Sequence, residues 1–178
     1  HQRANAALAA MAVQLFGNST IIDQNAIFEG ARNVVWPARM QRLKDGPLTA
    51  LAPNQEIWLD GGHNPHAARA IARQLNNMPG RTALVAAMLA SKDATGYFMP
   101  FRQVRPEVFT LPNAPGHQGA EPQALAEAAT NAGLKAAAYD SLEAALKAAA
   151  TTGVDRILIC GSLYLAGEVL AQNGEPPA

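Results

Sequence analysis

The sequence predicts an α/β fold with a Rossmann-like, mostly parallel sheet, helices on both faces, and a short β-hairpin at its start. From Pro53 onward, short apolar runs typical of buried strands alternate with longer amphipathic stretches typical of helices. Before that point, Asp45-Gly46-Pro47 supplies turn chemistry between residues 39–43 and 48–51, which predicts the hairpin.

The two ends of the chain differ in pattern, which predicts a domain boundary near Asn33 between residues 1–33 and 34–178. The first part predicts a helix over 5–16, closed by 17–20, and a second over 22–31 capped by Ser19 or Thr20. In the second part the predicted strands are 56–60, 82–88, 107–111, 135–139 and 156–160, and the predicted helices are 65–75, 95–101, 122–132, 142–150 and 163–171.

Composition excludes several classes of partner. Fourteen basic residues balance fourteen acidic ones, so no net field attracts nucleic acid or an anionic membrane surface. A single cysteine, Cys160, excludes an internal disulfide framework, and no uninterrupted apolar tract reaches the ~18 residues that a membrane span requires. We therefore expect a small-molecule ligand and a reducing, cytoplasmic setting. We also expect a monomer.

The turn after the first parallel strand carries the first candidate site, because ligands of such sheets bind beyond the carboxyl ends of the strands. In Asp60-Gly61-Gly62-His63-Asn64-Pro65, Asn64 can cap a helix and the glycines permit a sharp turn. Asp60 could accept hydrogen bonds from sugar hydroxyls or hold the water shell of a cation, with His63 in the same crevice. Alternatively, both side chains only bond nearby backbone groups.

Two other types of site are disfavoured. A zinc site at His63 and His66 lacks a convincing third ligand, since the cysteine is distant. A Walker A loop requires glycine immediately before its lysine, and the four lysines follow Leu or Ser instead. His117 lies in a loop without an evident partner.

Four segments resemble, in order and spacing, motifs of the folylpolyglutamate and dihydrofolate synthases, which belong to the Mur-type ligases. The resemblance extends from the first residue to about Leu170, and His1-Gln2…Asn5-Ala6 resembles the motif opening the last large helix of that family's central ATPase domain. The four segments are Trp36-Pro37-Ala38-Arg39, Asp60-Gly61-Gly62-His63-Asn64-Pro65, Met88-Leu89-Ala90-Ser91-Lys92-Asp93 and Gly161-Ser162-Leu163-Tyr164.

This resemblance implies the carboxy-terminal part of an ATP-dependent amide ligase that adds L-glutamate to dihydropteroate or folate through an acyl phosphate. Residues 1–33 would then be the terminal helices and linker of the central ATPase domain. ATP and Mg²⁺ are implied for the intact enzyme, with no metal ligand assigned in this chain. Because the Walker A loop is absent, the chain is expected to be inactive alone.

The resemblance also implies roles for six residues. Arg39 and His63 are the catalytic candidates, with Arg39 reaching the terminal phosphates of ATP. The nucleotide candidates are Arg39, Asp60 and Asn64, and the glutamate candidates are Ser162, His63 and Lys92. Ala38 departs from the family's usual glycine, so it would strain the linker and displace Arg39 if that position needs a positive φ.

Two functions from other classes remain open. A free-standing Rossmann-like nucleotide-binding module would want a Gly-x-Gly-x-x-Gly turn, which the Asp60–Pro65 segment does not provide. A non-catalytic interaction module would keep the fold without the chemistry.

Overall fold

The computed structural model describes residues 2–16 and 23–176, and the chain divides into two compact units, His1–Trp36 and Pro37–Ala178. The first unit contains α1 (Gln2–Phe16) and α2 (Gln24–Asn33). Asp23 caps α2, because its side chain accepts the Asn25 N–H at 3.3 Å. The predicted closure of the first helix at 17–20 and the predicted caps Ser19 and Thr20 lie outside the described residues.

The second unit is a six-stranded sheet in the order β1-β2-β6-β3-β4-β5, in which only β1 is antiparallel to its neighbour. The predicted α/β fold with a mostly parallel sheet is confirmed. Its elements are β1 (Gln41–Arg42), β2 (Glu56–Asp60), α3 (Pro65–Asn76), β3 (Thr82–Ala86), α4 (Ala94–Phe98), β4 (Glu107–Thr110), α5 (Pro122–Asn131), β5 (Lys135–Ala138), α6 (Leu142–Ala150), β6 (Arg156–Cys160) and α7 (Leu163–Gln172).

The predicted amino-terminal hairpin is wrong in its second strand. β1 pairs with β2 across the register Gln41↔Leu59, and Thr49–Leu51 forms a 3-10 helix instead of a strand. The Ala50 N–H donates to the Gly46 carbonyl at 3.0 Å, so the chain coils after the turn. The Leu48 N–H donates to Asn173 Oδ1 at 3.1 Å, a bond to the far end of the chain that replaces strand pairing.

The predicted helix over 95–101 is also interrupted. It forms as α4, followed by a 3-10 helix over Met99–Gln103. Pro100 explains the change, because proline has no N–H to continue an α-helical ladder.

Both faces of the sheet are covered by helices, as predicted. Alternating residues of β6 point to opposite sides: Ile157 and Ile159 pack in the layer with α6 and α7, whereas Leu158 and Cys160 pack with α3, α4 and α5. Full burial of a large apolar side chain contributes about 1.5–3 kcal/mol, so these two layers hold the helices firmly against the sheet. The loops at its carboxyl edge therefore start from fixed positions. Within the described residues, no helix has the length and apolarity needed to cross a bilayer.

Candidate functional site

The β2–α3 turn is built to bring backbone segments into close contact. Asn64 caps α3, since its Oδ1 accepts the Ala67 N–H at 2.9 Å, and Pro65 occupies the first helical turn. A Cβ at Gly61 would lie 2.3 Å from Leu163 Cδ2, the first residue of α7. A larger residue at position 61 would therefore have to displace the exposed Leu163 side chain at the start of α7.

Asp60 connects this turn to the linker that precedes β1. The side chain is only 2% exposed; its Oδ2 accepts the Met40 N–H at 2.9 Å and its Oδ1 accepts the Gly62 N–H at 2.8 Å. Burial raises the pKa of Asp60, and the two N–H bonds and the Arg39 charge oppose that rise. Both carboxyl oxygens thus already bind backbone groups, as in the alternative interpretation of this turn.

The linker on either side of Arg39 is strained. Ala38 has φ 55° and Met40 has φ 41°, a left-handed conformation that costs a non-glycine residue about 1–3 kcal/mol. The positive φ that would make alanine unfavourable at position 38 is present. Hydrogen bonds hold the segment: the Ala38 carbonyl accepts the Gly61 N–H at 2.9 Å and Arg39 Nη1 at 3.0 Å.

His63 follows the two glycines of the same turn. Its ring is half-buried, and Nδ1 is 3.0 Å from the Gly61 carbonyl oxygen. That contact orients the imidazole and leaves Nε2 as its other hydrogen-bonding atom. His66, by contrast, is exposed on α3. Among the described residues, no group of three or more histidine, cysteine, aspartate or glutamate side chains could hold a metal ion.

The β6–α7 turn is bonded directly to the β2–α3 turn. The Gly161 N–H donates to the Gly62 carbonyl at 3.1 Å. Gly161 has φ 92°, and a Cβ there would lie 2.5 Å from the Ala87 carbonyl oxygen. Ser162 then caps α7, with Oγ accepting the Leu165 N–H at 3.3 Å, and is only 3% exposed. The β2–α3 and β6–α7 turns are therefore joined directly at one edge of the sheet.

Lys92 belongs to a different part of the same edge. It precedes Asp93, which caps α4 by accepting the Gly96 N–H at 2.8 Å. The hydrogen bonds and ion pairs of the described residues do not join Lys92 to the Gly61–Gly62 turn. The structure thus brings Arg39, Asp60 and His63 together and connects Ser162 to them through the backbone, whereas no hydrogen bond or ion pair of the described residues joins Lys92 to them.

Comparison with known proteins identifies the family. Residues 38–163 match the family model described as Mur ligase, glutamate ligase domain. The chain belongs to the Mur ligase family.

Relatives of this Mur ligase domain confirm the resemblance to the folylpolyglutamate and dihydrofolate synthases. The chain is 29% identical over 170 residues to the dihydrofolate synthase/folylpolyglutamate synthase of Escherichia coli (strain K12), covering 93% of this chain and 37% of that protein. It is 31% identical over 174 residues to the folylpolyglutamate synthase of Lacticaseibacillus casei, covering 95% and 37%. The chain thus spans little more than a third of these relatives.

A solved structure agrees in fold. A bifunctional folylpolyglutamate synthase/dihydrofolate synthase with Mn, AMPPNP and L-glutamate bound superposes with a TM-score of 0.64 at 28% identity. The match covers 84% of this chain and 34% of that one.

A fourth loop of the Mur ligase domain lies at this edge, between β4 and α5, and it carries His117, for which the sequence indicated no partner. The β4–α5 loop folds back along the β3–α4 loop through an antiparallel bridge, Leu89↔Gly119. His117 from this loop stacks on Tyr164 of α7, with ring centroids 3.5 Å apart and an interplanar angle of 20°. The Pro115-Gly116 pair, with Gly116 at φ 81°, is the local sequence signal for the turn that presents His117.

Cys160 ends β6 beneath the turn and takes no part in the exposed edge. Burial raises the pKa of its thiol to about 12, so the nucleophilic thiolate is not formed near neutral pH. It is a buried small hydrophobe, with the buried Tyr97 hydroxyl as a neighbour.

The chemistry of this edge fits part of an anion site. The N–H groups of Gly61, Gly62 and Gly161 all bind acceptors within the chain, so the glycine turns do not present those amides to a phosphate. The groups that could bind an anion are instead the Arg39 guanidinium, the His63 ring and the first-turn N–H groups of α7. In any α-helix, these first N–H groups have no acceptor within the helix. Such a set can orient phosphates or carboxylates that are held mainly by another segment.

Proposed function

We propose that this chain is the glutamate-side, carboxy-terminal part of an ATP-dependent ligase that joins L-glutamate to dihydropteroate or a folate. The proposal rests on the hydrogen bond from the Gly161 N–H to the Gly62 carbonyl, which joins the β2–α3 and β6–α7 turns. The joined turns place Arg39, His63 and the start of α7 at one edge of a Mur ligase domain. The names of the relatives, and the nucleotide and L-glutamate bound in one of them, support the same reaction.

On the nucleotide side, we assign the terminal phosphates of ATP to Arg39, whose permanent charge can follow charge movement during phosphoryl transfer to the substrate carboxylate. Asp60 holds the Arg39-bearing linker against the β2–α3 turn through Met40 and Gly62, a narrower role than that of a ribose ligand. Asn64 is exposed in the same turn, and its Oδ1 already accepts the Ala67 N–H as the cap of α3.

On the amino-acid side, we assign the carboxylate of L-glutamate to the first turn of α7. The dipole of an α-helix stabilises an anion at this end by about 0.3–1 kcal/mol, and Ser162 fixes the geometry of the turn. His63 lies between the two sides, where it can orient the glutamate amine for attack on the acyl phosphate. Of the three glutamate candidates, Lys92 is the one that no hydrogen bond or ion pair of the described residues joins to these two turns.

The described residues do not fit a divalent cation, because they contain no cluster of three or more acidic, histidine or cysteine side chains. We propose that Mg²⁺ is held by the segments that carry the Walker A loop and the folate pocket. The Mn bound in the solved relative supports the use of a metal by the complete enzyme. The single cysteine fits a reducing, cytoplasmic setting, and we propose that the complete enzyme acts there as a monomer.

The test uses a longer protein, in which this chain follows a segment with a Walker A loop. ADP formation is expected to require ATP, L-glutamate and dihydropteroate or a folate together, and the 178-residue chain alone is expected to form none. Rates are measured with each substrate omitted in turn. Turnover by the 178-residue chain alone, or ADP formation by the longer protein that ignores glutamate, would refute the proposal.

A further inference from the structure

The β4–α5 loop is attached to its neighbours at two places. One attachment is to the β3–α4 loop: the Ala120 N–H donates to the Met88 carbonyl at 2.9 Å, and the Ala90 N–H donates to the Gln118 carbonyl at 3.1 Å. The other is the stack of His117 on Tyr164, at 3.5 Å between ring centroids. The loop therefore reaches across the β3–α4 loop to the beginning of α7.

The stack lies beside the proposed carboxylate position. Tyr164 is the second residue of α7, and its backbone N–H is one of the first-turn groups without an intrahelical acceptor. Tyr164 remains 46% exposed and His117 is also exposed, so the stacked rings form part of the accessible edge of the domain. An exposed aromatic stack is not needed to fill the core, which already packs around other side chains.

We propose that His117 and Tyr164 form a latch that positions the β4–α5 loop over the first turn of α7 and so sets the affinity for the amino-acid substrate. The proposal rests on the proposed function and adds two positioning residues to it. The latch acts by stacking: a planar ring at position 117 is required, whereas the imidazole nitrogens are not. Removing either ring releases the loop at one of its two attachments.

Hydrogen exchange on the 178-residue chain tests the structural half of this proposal. Aromatic pairs of this type are strong enough that losing one changes a local opening equilibrium roughly two- to tenfold. His117→Ala is expected to speed exchange of the Ala90 and Ala120 amides by that factor. His117→Phe, which keeps a ring, is expected to restore slow exchange, and His66→Ala, which removes another exposed histidine, is expected to change nothing. Unchanged exchange in His117→Ala overturns the latch.

Steady-state kinetics in the longer protein test the functional half. His117→Ala and Tyr164→Leu are each expected to raise KM for L-glutamate roughly two- to tenfold, with kcat and KM for ATP nearly unchanged. His117→Phe and Tyr164→Phe are expected to recover the original KM. A general loss of structure would instead lower kcat and affect both substrates.

The outcomes separate this proposal from the proposed function. If the wild-type longer protein shows glutamate-dependent ADP formation and His117→Ala keeps the wild-type KM, the latch is overturned and the ligase function stands. If the wild-type protein shows no glutamate-dependent reaction, the ligase function fails and the amino-acid role of the latch fails with it. The exchange experiment on the 178-residue chain still decides whether the stack holds the loop.

Discussion

Asp60→Ala in the longer protein is expected to lower kcat/KM for glutamate addition by roughly 100-fold or more, because misplacement of a positioned group by about 1 Å costs that much. The substitution removes the acceptors for the Met40 and Gly62 N–H groups, at 2.9 and 2.8 Å. The left-handed backbone on either side of Arg39 then loses the contact that holds it against the turn. The measurement is the rate of glutamate-dependent ADP formation at varied ATP.

Asp155→Ala is the matched control. Asp155 Oδ2 also accepts a backbone N–H, from Arg81 at 2.7 Å, but it lies at the amino edge of the sheet, before β6. Its loss is expected to reduce stability with little effect on turnover, since hydrogen bonds to charged groups contribute about 1.5–3 kcal/mol. Turnover at the wild-type rate in Asp60→Ala, as in Asp155→Ala, would mean that the Asp60 hydrogen bonds do not position Arg39 for the reaction.

Gly161→Ala in the 178-residue chain is expected to lower the free energy of unfolding by roughly 2–5 kcal/mol. A left-handed conformation costs an alanine about 1–2 kcal/mol, and forcing a methyl group into a packed site adds about 1–3 kcal/mol. At Gly161, φ is 92° and the new Cβ would lie 2.5 Å from the Ala87 carbonyl oxygen, which is backbone and cannot rotate away. Urea denaturation measures the difference.

Gly153→Ala separates these two contributions. Gly153 also has a positive φ, 67°, but nothing lies within 4 Å of a Cβ there. Only the conformational cost of about 1–2 kcal/mol is expected. Equal losses at the two positions would mean that the β6–α7 turn does not pack tightly on the β3–α4 loop, which would weaken the case for a preformed carboxyl edge.

The parallel core was predictable because each buried strand is a local signal. The runs at Glu56–Asp60 and Arg156–Cys160 are apolar and bounded by turn residues, and the structure places both strands at the predicted residues. The second strand of the hairpin was not predictable from local pattern. Leu48 donates to Asn173, 125 positions away, and that bond helps convert the segment into a 3-10 turn.

The candidate site shows the same division between local and distant information. Asn64 caps α3, as its position between a strand and Pro65 predicted, and Ser162 caps α7 in the same way. The positive φ at Met40 had no sequence signal, because it depends on the Asp60 carboxylate reaching back across the turn. The stack of His117 on Tyr164 was also missed, since the two residues follow different strands and meet only through the order of the sheet.

Hydrogen exchange of the longer protein, with and without a non-hydrolysable ATP analogue plus L-glutamate, tests most directly whether the carboxyl edge is the ligand-binding half of the site. The expected result is slower exchange at residues 60–64 and 161–165, with no change at 79–82 and 153–156 on the amino edge of the same sheet. Protection confined to the amino edge, or no protection of either edge when both ligands are bound, would contradict the account.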